Sequence, residues 1–327
     1  MALEEHLVTP GIAEAWRASP DPDQDGQTEM STSGTLGERL LDLGEDRLAA
    51  MDDQGVDVQV LSVTTPGVQN LDAERAVPLA RKANDTIADA VAARPDRFAG
   101  FAALPTPDPD AAATELRRAV TERGLHGAML YGRTGTRNLD HPSHEPIWEA
   151  AAALRAPLYL HPQIPTAAVR EAYYTGFGPQ SDHVFAGPAL GWHYETGVQL
   201  MRLVLSGVFD RHPELQVVVG HWGEVVLFFL DRTASLVDAG SFGLRRPLLD
   251  YFRENVSYTG SGLLDHRYLR WTVEMVGVER LLTATDHPYI DNSGGAARRF
   301  LDDADLTDAE RDAVAHGNWD RLTAHLR

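Results

Sequence analysis

The chain has 327 residues, of which 43% are hydrophobic, and its formal net charge is -19. This charge repels a phosphate backbone and argues against nucleic-acid binding, while the absence of cysteine excludes disulfides, thiolate metal sites and thiol nucleophiles. No apolar stretch is long enough to cross a bilayer, and the first residues lack the features of a signal peptide, so we expect a cytoplasmic protein with no membrane partner.

Eight apolar runs recur along the chain and predict eight buried strands. The runs lie at residues 2–6, 57–63, 97–103, 126–130, 156–161, 215–221, 255–259 and 280–286. Between them, apolar residues recur every three or four positions, which is typical of helices. Because strands and helices alternate and the strands are continuously apolar, the pattern predicts an α/β fold whose parallel sheet closes into a (β/α)8 TIM barrel.

Two long segments interrupt this alternation. Residues 7–36, rich in Pro, Asp, Ser and Gly, follow the first strand, and residues 162–190 follow the fifth. Both segments should emerge at the carboxyl ends of the strands, where long loops usually shape the substrate pocket. No repeat or linker divides the chain, so we expect residues 1–327 to form a single domain.

Polar groups that suit a metal ion stand at the tips of several predicted strands. Glu4 and His6 are one residue apart on a strand, so both side chains should point the same way. An exposed acidic segment is the competing interpretation for this pair, and a structural histidine is the alternative for His161. A carboxylate such as Asp286 is costly to bury at the end of an apolar strand unless it meets a cation or hydrogen-bond donors.

His221 ends the sixth predicted strand, and Glu224 follows three positions later. A carboxylate at this spacing can fix the tautomer of an imidazole and raise its basicity. Arg232, on the next predicted helix, either caps that helix or reaches a substrate carboxylate. His193 and His287 fit the wall of a pocket better than they fit direct metal binding.

With these residues at its predicted strand ends, the chain resembles the amidohydrolase superfamily. Within it, the chain is similar to the metal-dependent aromatic acid decarboxylases, such as γ-resorcylate (2,6-dihydroxybenzoate) decarboxylase and 5-carboxyvanillate decarboxylase. The resemblance covers nearly the full length and rests on the segments ALEEH, VQVLSVTTPGVQ, RKANDTIADAVAARPDRFAGFAALP, LYLHP, GVFDRHPELQVVVGHWGE and TATDHP. The Glu-x-His start, in place of His-x-His, and the single lysine, Lys82, point away from the hydrolases with binuclear centres.

The resemblance implies a site in which one divalent ion, zinc or manganese, binds a small aromatic acid. It implies four metal ligands (Glu4, His6, His161 and Asp286), a catalytic pair (His221 and Glu224) and Arg232 near the substrate. It also implies a homodimer or a homotetramer. In the mechanism that follows from it, the metal holds an ortho-hydroxybenzoate, Asp286 protonates the carbon that carries the carboxylate, and carbon dioxide leaves.

The chain departs from these decarboxylases at two positions that we expect to face the substrate. Tyr131-Gly132 replaces the usual Asn-Gly after the fourth strand, and His287 replaces the usual aromatic residue after Asp286. These changes put the particular substrate in doubt. Two alternatives stay open: a metal-dependent hydrolase acting on an amide, lactone or carbon–carbon bond, and a barrel that binds ligands without catalysis.

Overall fold

The computed structural model describes residues 1–21 and 25–326, and for Asp25 it describes the backbone alone. Parallel strands form its centre, each hydrogen-bonded to the next in chain order in two sheets, β1 to β3 and β4 to β8. The strands are β1 (Ala2–Leu7), β2 (Gln59–Val63), β3 (Phe98–Gly100), β4 (Ala102–Ala103), β5 (Ala128–Tyr131), β6 (Leu158–His161), β7 (Val217–Val219) and β8 (Val256–Tyr258).

Two isolated bridges close the strands into a ring. Leu281 pairs in parallel with Tyr258 of β8, and Ala284 pairs in parallel with Leu3 of β1. Residues 280–286 therefore take the eighth position of the barrel, where these bridges are their pairings with neighbouring strands. The prediction of a (β/α)8 barrel is confirmed.

The predicted strand at 97–103 is divided in the structure. β3 and β4 are separated by Phe101, whose ring turns into the barrel and packs against Tyr159 and Trp319 at centroid distances of 6.1 and 5.7 Å. The chain continues in the same direction, because Phe101 N donates to Leu61 O at 2.9 Å and Ala102 N donates to Gly127 O at 2.8 Å. The third position of the barrel is therefore one strand with a break.

Helices surround the strands and alternate with them. They are α1 (Pro10–Ala18), α2 (Asp25–Ser31), α3 (Gly34–Leu41), α4 (Glu45–Gln54), α5 (Ala73–Ala93), α6 (Pro109–Thr121), α7 (Glu145–Leu154), α8 (Ala167–Tyr173), α9 (Pro179–Val184), α10 (Gly191–Leu205), α11 (Val208–Arg211), α12 (His221–Glu224), α13 (Val226–Leu236), α14 (Leu248–Glu254), α15 (His266–Val276), α16 (Ala296–Asp302), α17 (Asp308–Asp312) and α18 (Asn318–Thr323). Short 3₁₀ turns lie at Pro142–His144, Ala239–Phe242, Val278–Arg280 and Ala324–Leu326, and π turns lie at Phe185–Ala189 and Ala313–Gly317.

Two hydrophobic layers hold the barrel. The inner layer fills the ring with side chains from the strands and with Trp319 of α18, which together are Leu3, Val60, Ala99, Phe101, Met129, Tyr131, Tyr159, Val218, Leu282, Ala284 and Trp319. The larger outer layer lies between the strands and the helices. In α5, for example, the buried residues Ala76, Ala80, Ala83 and Ile87 recur at the spacing of one helix face.

The two long segments contact each other. Gly26, in the first segment, lies so close to the ring of His183, in the second, that a β-carbon at position 26 would stand 2.7 Å from the imidazole. Trp16 also donates its indole N–H to the carbonyl of Gly67 at 2.8 Å, which ties α1 to the loop after β2. That the two long segments shape the substrate pocket stays a prediction, as does the single-domain boundary.

None of the helices within residues 1–21 and 25–326 is long and apolar enough to span a membrane.

Candidate functional site

Glu4 enters the barrel through an irregularity in β1. The register pairs Ala2 with Gln59 and Glu5 with Leu61, so β1 carries one residue more than β2 over this stretch. Glu4 has a positive φ of 61°, a backbone state that costs energy and clusters at functional sites. Its fully buried carboxylate accepts hydrogen bonds on Oε2 from the hydroxyls of Tyr159 and Ser261.

Two histidines and a second carboxylate surround the other oxygen of Glu4. His161 Nε2 lies 3.3 Å from Glu4 Oε1, and His6 Nε2 lies 3.4 Å from Asp286 Oδ1. The rings of His6 and His161 meet edge to face, with centroids 4.8 Å apart. Glu4, His6 and His161 offer ligand atoms that all lie within 4.8 Å of one another. The structure therefore brings together the four residues predicted as metal ligands.

The donor set of this cluster fits a divalent cation. His161 Nδ1 lies 2.8 Å from the carbonyl of Pro162, which can only accept, so Nε2 of the neutral ring presents a lone pair to Glu4 Oε1. Glu4 Oε1 and both ring nitrogens of His6 are buried without a hydrogen-bond partner among the described residues. These buried acceptors face one another, and carboxylate oxygens with imidazole nitrogens suit zinc or manganese.

Burial dominates the electrostatics of the four side chains. It raises the pKa of Glu4 to about 7 and that of Asp286 to about 7, because a dry environment disfavours the charged carboxylate. Burial likewise lowers the pKa of His6 to about 3 and holds that of His161 well below its usual value. Both imidazoles are thus neutral at physiological pH, which is the form that binds metals.

His221 and Glu224 form a hydrogen-bonded pair beside this cluster. His221 Nδ1 lies 2.7 Å from Glu224 Oε1, as the sequence spacing predicted. The pair stands on α12, a tight turn in which every residue has a positive φ. Burial lowers the pKa of His221, but Glu224, Glu4 and Asp286 outweigh this effect and raise it to about 9. Burial raises the pKa of Glu224, but His221 and His193 lower it to about 2. In the metal-free chain, both shifts favour a charged imidazole on His221 paired with a carboxylate.

A buried polar network lies behind the ligands. Glu5 accepts from the backbone N–H and the hydroxyl of Thr285 at 2.9 and 2.7 Å, and from Gln59 Nε2 at 2.9 Å. Arg47 donates to Gln59 Oε1 at 3.0 Å and to the backbone carbonyl of His6. Thr285 directly precedes Asp286, so this network fixes the backbone beside two of the ligands.

Of the three residues predicted to bind the substrate, the structure places one beside the ligand cluster and two elsewhere. Arg232 lies exposed on α13, away from the buried ligands. His287 turns its Nδ1 toward Gln54 Nε2 at 3.2 Å and lines a separate polar cavity of about 430 Å³. Only the ring of Tyr131 borders the cluster, 5.7 Å from the ring of His161. The substrate contacts of all three stay predictions.

Tyr131→Phe tests whether the Tyr131 hydroxyl serves the substrate or the fold. This hydroxyl donates to the carbonyl of Val63 and is fully buried. We expect the variant to lose about 1–3 kcal/mol of unfolding free energy, because it leaves a buried carbonyl unpaired, with turnover changed less than about threefold. Urea denaturation and steady-state kinetics measure the two effects. A large rise in KM at unchanged stability would instead place the hydroxyl on the substrate.

Sequence reasoning missed several residues that hold the site. Tyr159 and Ser261 bind Glu4, and Arg47 reaches the backbone of His6 from α4. Tyr159 had a signal, since it stands two positions before His161 on one strand and so shares its face. Ser261 and Arg47 lie far from their partners in sequence and carry no local pattern.

Comparisons with known proteins identify the family of the chain. Residues 15–322 match the amidohydrolase family. A γ-resorcylate decarboxylase of Rhodococcus jostii is 36% identical over 97% of this chain and 96% of its own length. The crystal structure of 5-carboxyvanillate decarboxylase from Sphingomonas paucimobilis superimposes with a TM-score of 0.90 at 35% identity, over 99% of this chain and 98% of that chain.

A further solved structure shows ligands in such a barrel. The dihydroxybenzoic acid decarboxylase of Polaromonas sp., with bound manganese and the inhibitor 2-nitroresorcinol, has a TM-score of 0.85 at 33% identity, over 100% of this chain and 97% of that chain. The family match spans most of the chain, and these relatives align over nearly their whole length. On this match the chain belongs to the amidohydrolase family.

Proposed function

We propose that this protein is a metal-dependent decarboxylase of an ortho-hydroxy aromatic carboxylic acid. The observation that carries the proposal is the buried acceptor cluster of Glu4, His6, His161 and Asp286 beside the His221–Glu224 pair. Its support is the decarboxylase activity named for relatives that match over nearly the whole chain. A hydrolase would use the same metal ligands, but the three relatives described above are all named decarboxylases.

The four cluster residues would hold one divalent ion, zinc or manganese. The bound manganese of the Polaromonas relative favours manganese. When bound, such an ion supplies Lewis acidity toward the phenolic and carboxylate oxygens of the substrate. The remaining chemistry belongs to side chains of this chain.

Asp286 would supply the proton that replaces the carboxylate. In the metal-free chain, burial raises the pKa of Asp286 to about 7, well above that of an exposed aspartate. Transfer of that proton to the ring carbon forms a carbon–hydrogen bond. The bond to the carboxylate then breaks, its electron pair restores the aromatic ring, and carbon dioxide leaves. The His221 imidazolium, held by Glu224, would stabilise the negative charge that the substrate oxygens carry during this step.

The proposal is tested by carbon dioxide release from a panel of ortho-hydroxybenzoates. The manganese- and zinc-loaded protein is assayed with 2,6-dihydroxybenzoate, 5-carboxyvanillate and analogues that vary the ring substituents. We expect release from at least one acid, with loss of one carboxylate per product molecule. Metal-loaded protein that releases carbon dioxide from none of them, yet hydrolyses an amide or a lactone, would overturn the proposal in favour of the hydrolase.

His161→Ala is expected to weaken metal binding. The variant removes the Nε2 that faces Glu4 Oε1, and Pro162 and Glu4 remain. We expect the affinity for manganese to fall by at least about tenfold, measured as metal per chain after dialysis against graded chelator. His141→Ala is the matched control, since His141 is exposed. Equal metal content in the two variants would remove His161 from the ligand set.

We also propose a homodimer or homotetramer. The supporting observation is an exposed aromatic surface on α13 and α15, where Phe228 and Trp271 stack at 5.9 Å and are 69% and 43% exposed. Phe228→Glu is expected to lower the mass measured by light scattering toward that of a single chain, because a charge replaces an apolar contact. Tyr173→Glu, at a residue of α8 that is 73% exposed, is the control. An unchanged mass in Phe228→Glu would exclude this surface as the interface.

A further inference from the structure

Another histidine, on a different helix, contacts the pair formed by His221 and Glu224. His193, in the first turn of α10, places its Nδ1 2.8 Å from Glu224 Oε2. The other oxygen, Oε1, lies 2.7 Å from His221 Nδ1, and the two imidazole rings are 4.6 Å apart. The buried carboxylate of Glu224 is therefore shared between two imidazoles, one on each oxygen.

Trp192 determines which nitrogen of His193 carries the proton. Trp192 Nε1 donates to His193 Nε2 at 3.1 Å. An indole N–H can only donate, so His193 Nε2 must accept and carries no proton. The proton of the neutral ring is then on Nδ1, where it points at Glu224. The carbonyl of Pro188 also lies 3.2 Å from this Nε2. It could accept a hydrogen bond only if Nε2 carried a proton, and Nε2 could then no longer accept the hydrogen bond from Trp192.

His193 thus gives Glu224 a hydrogen bond on the oxygen that His221 does not contact. Glu224 is fully buried with His193 in place. A hydrogen bond to the charged form keeps a carboxylate ionised in a dry site. The charge of Glu224 is left to His221, the cation of the pair.

The backbone of the pair needs such an anchor. His221 and Glu224 stand on a turn with φ values of 49° and 53°, which persists only when surrounding contacts hold it. His193 belongs to α10 and binds the carboxylate from outside that turn. It therefore couples the turn to a regular helix of 15 residues.

We propose that His193 is a positioning residue for the catalytic pair. It holds Oε2 of Glu224 so that Oε1 stays on Nδ1 of His221, and it does so as a neutral donor whose tautomer is fixed by Trp192. This inference rests on the decarboxylase proposed above for its kinetic consequence, while the hydrogen-bond geometry is independent of the reaction.

The test compares two substitutions that differ in one donor. His193→Ala removes the N–H, whereas the side-chain amide of His193→Asn offers an N–H near the position of Nδ1 but has no ring to titrate. In the manganese-loaded protein we expect kcat to fall about 10- to 100-fold in His193→Ala and less than about threefold in His193→Asn. KM should change little in either. His212→Ala is the control, because His212 also binds a carboxylate, Glu145 at 2.8 Å, away from the site.

A spectroscopic readout separates this inference from the proposed activity. In zinc-loaded protein with labelled histidine, the His221 Nδ1 proton should give the downfield resonance of a charge-assisted hydrogen bond. That resonance should shift or vanish in His193→Ala and persist in His193→Asn, even if no tested acid is decarboxylated. Wild-type resonance and kcat in His193→Ala would overturn the inference. An Asn variant as slow as the Ala variant would also overturn it, since a donor alone would then not suffice.

Discussion

Asp286→Asn is expected to lower the rate of carbon dioxide release about 100- to 10,000-fold, the usual contribution of a positioned general acid. The amide keeps the size and an oxygen ligand of the carboxylate, so metal content and thermal unfolding should change little. It has no acidic proton, so it cannot deliver one to the ring carbon. Single-turnover assays under saturating substrate measure the chemical step directly.

The control for this variant is Asp291→Asn. Asp291 follows on the same loop but is exposed, so its amide should turn over at the wild-type rate. If Asp286→Asn retained more than about a third of the wild-type rate with metal bound, Asp286 would not be the proton donor. If it lost both metal and activity, its rate would be remeasured at saturating manganese, where the missing proton alone should still limit turnover.

Arg47→Met is expected to lower the free energy of unfolding by about 3–5 kcal/mol, the usual result of removing one side of a buried charged network. Arg47 is almost fully buried and donates to the carbonyls of His6 and Asp42 and to Gln59. Methionine fills much of the space but satisfies none of these acceptors. Burial raises the pKa of Glu5, while hydrogen bonds from Thr285 and the positive charge of Arg47 lower it. The variant removes that positive charge.

Urea denaturation of the metal-free protein measures this loss. Arg298→Met provides the comparison, because Arg298 pairs at 3.0 Å with Asp57 on the surface and should contribute less than about 1 kcal/mol. We further expect Arg47→Met to bind metal more weakly, since the backbone of His6 loses its support. Similar small losses in both variants would mean that the network behind the ligands contributes no more than a surface ion pair.

The chemistry at the strand ends could be predicted because it is local. His161 and Asp286 each end an apolar run, and His221 stands three residues before its carboxylate partner. In a barrel these separate strand ends lie close together, because parallel strands have their carboxyl ends on one face. The predicted ligands therefore meet in the structure although up to 282 residues separate them, the difference between positions 286 and 4.

The backbone and the long-range contacts could not be predicted in this way. Simple alternation along β1 explains why Glu4 and His6 share a direction, but not the extra residue or the positive φ at Glu4. Arg232 stands at a motif position and yet is exposed in the single chain. His193 meets Glu224 only because α10 packs against the turn of α12. Such contacts depend on how distant elements pack, which no local pattern encodes.

The closure of the ring by residues 280–286 has a consequence for biosynthesis. Glu5 is hydrogen-bonded to Thr285 across 280 residues of sequence, so this contact of the first strand forms only after residue 285 has been synthesised. A nascent chain that reaches β8 already contains Glu4, His6 and His161 but lacks Asp286. The residue that we propose as the acid is therefore the last of the four predicted ligands to be synthesised.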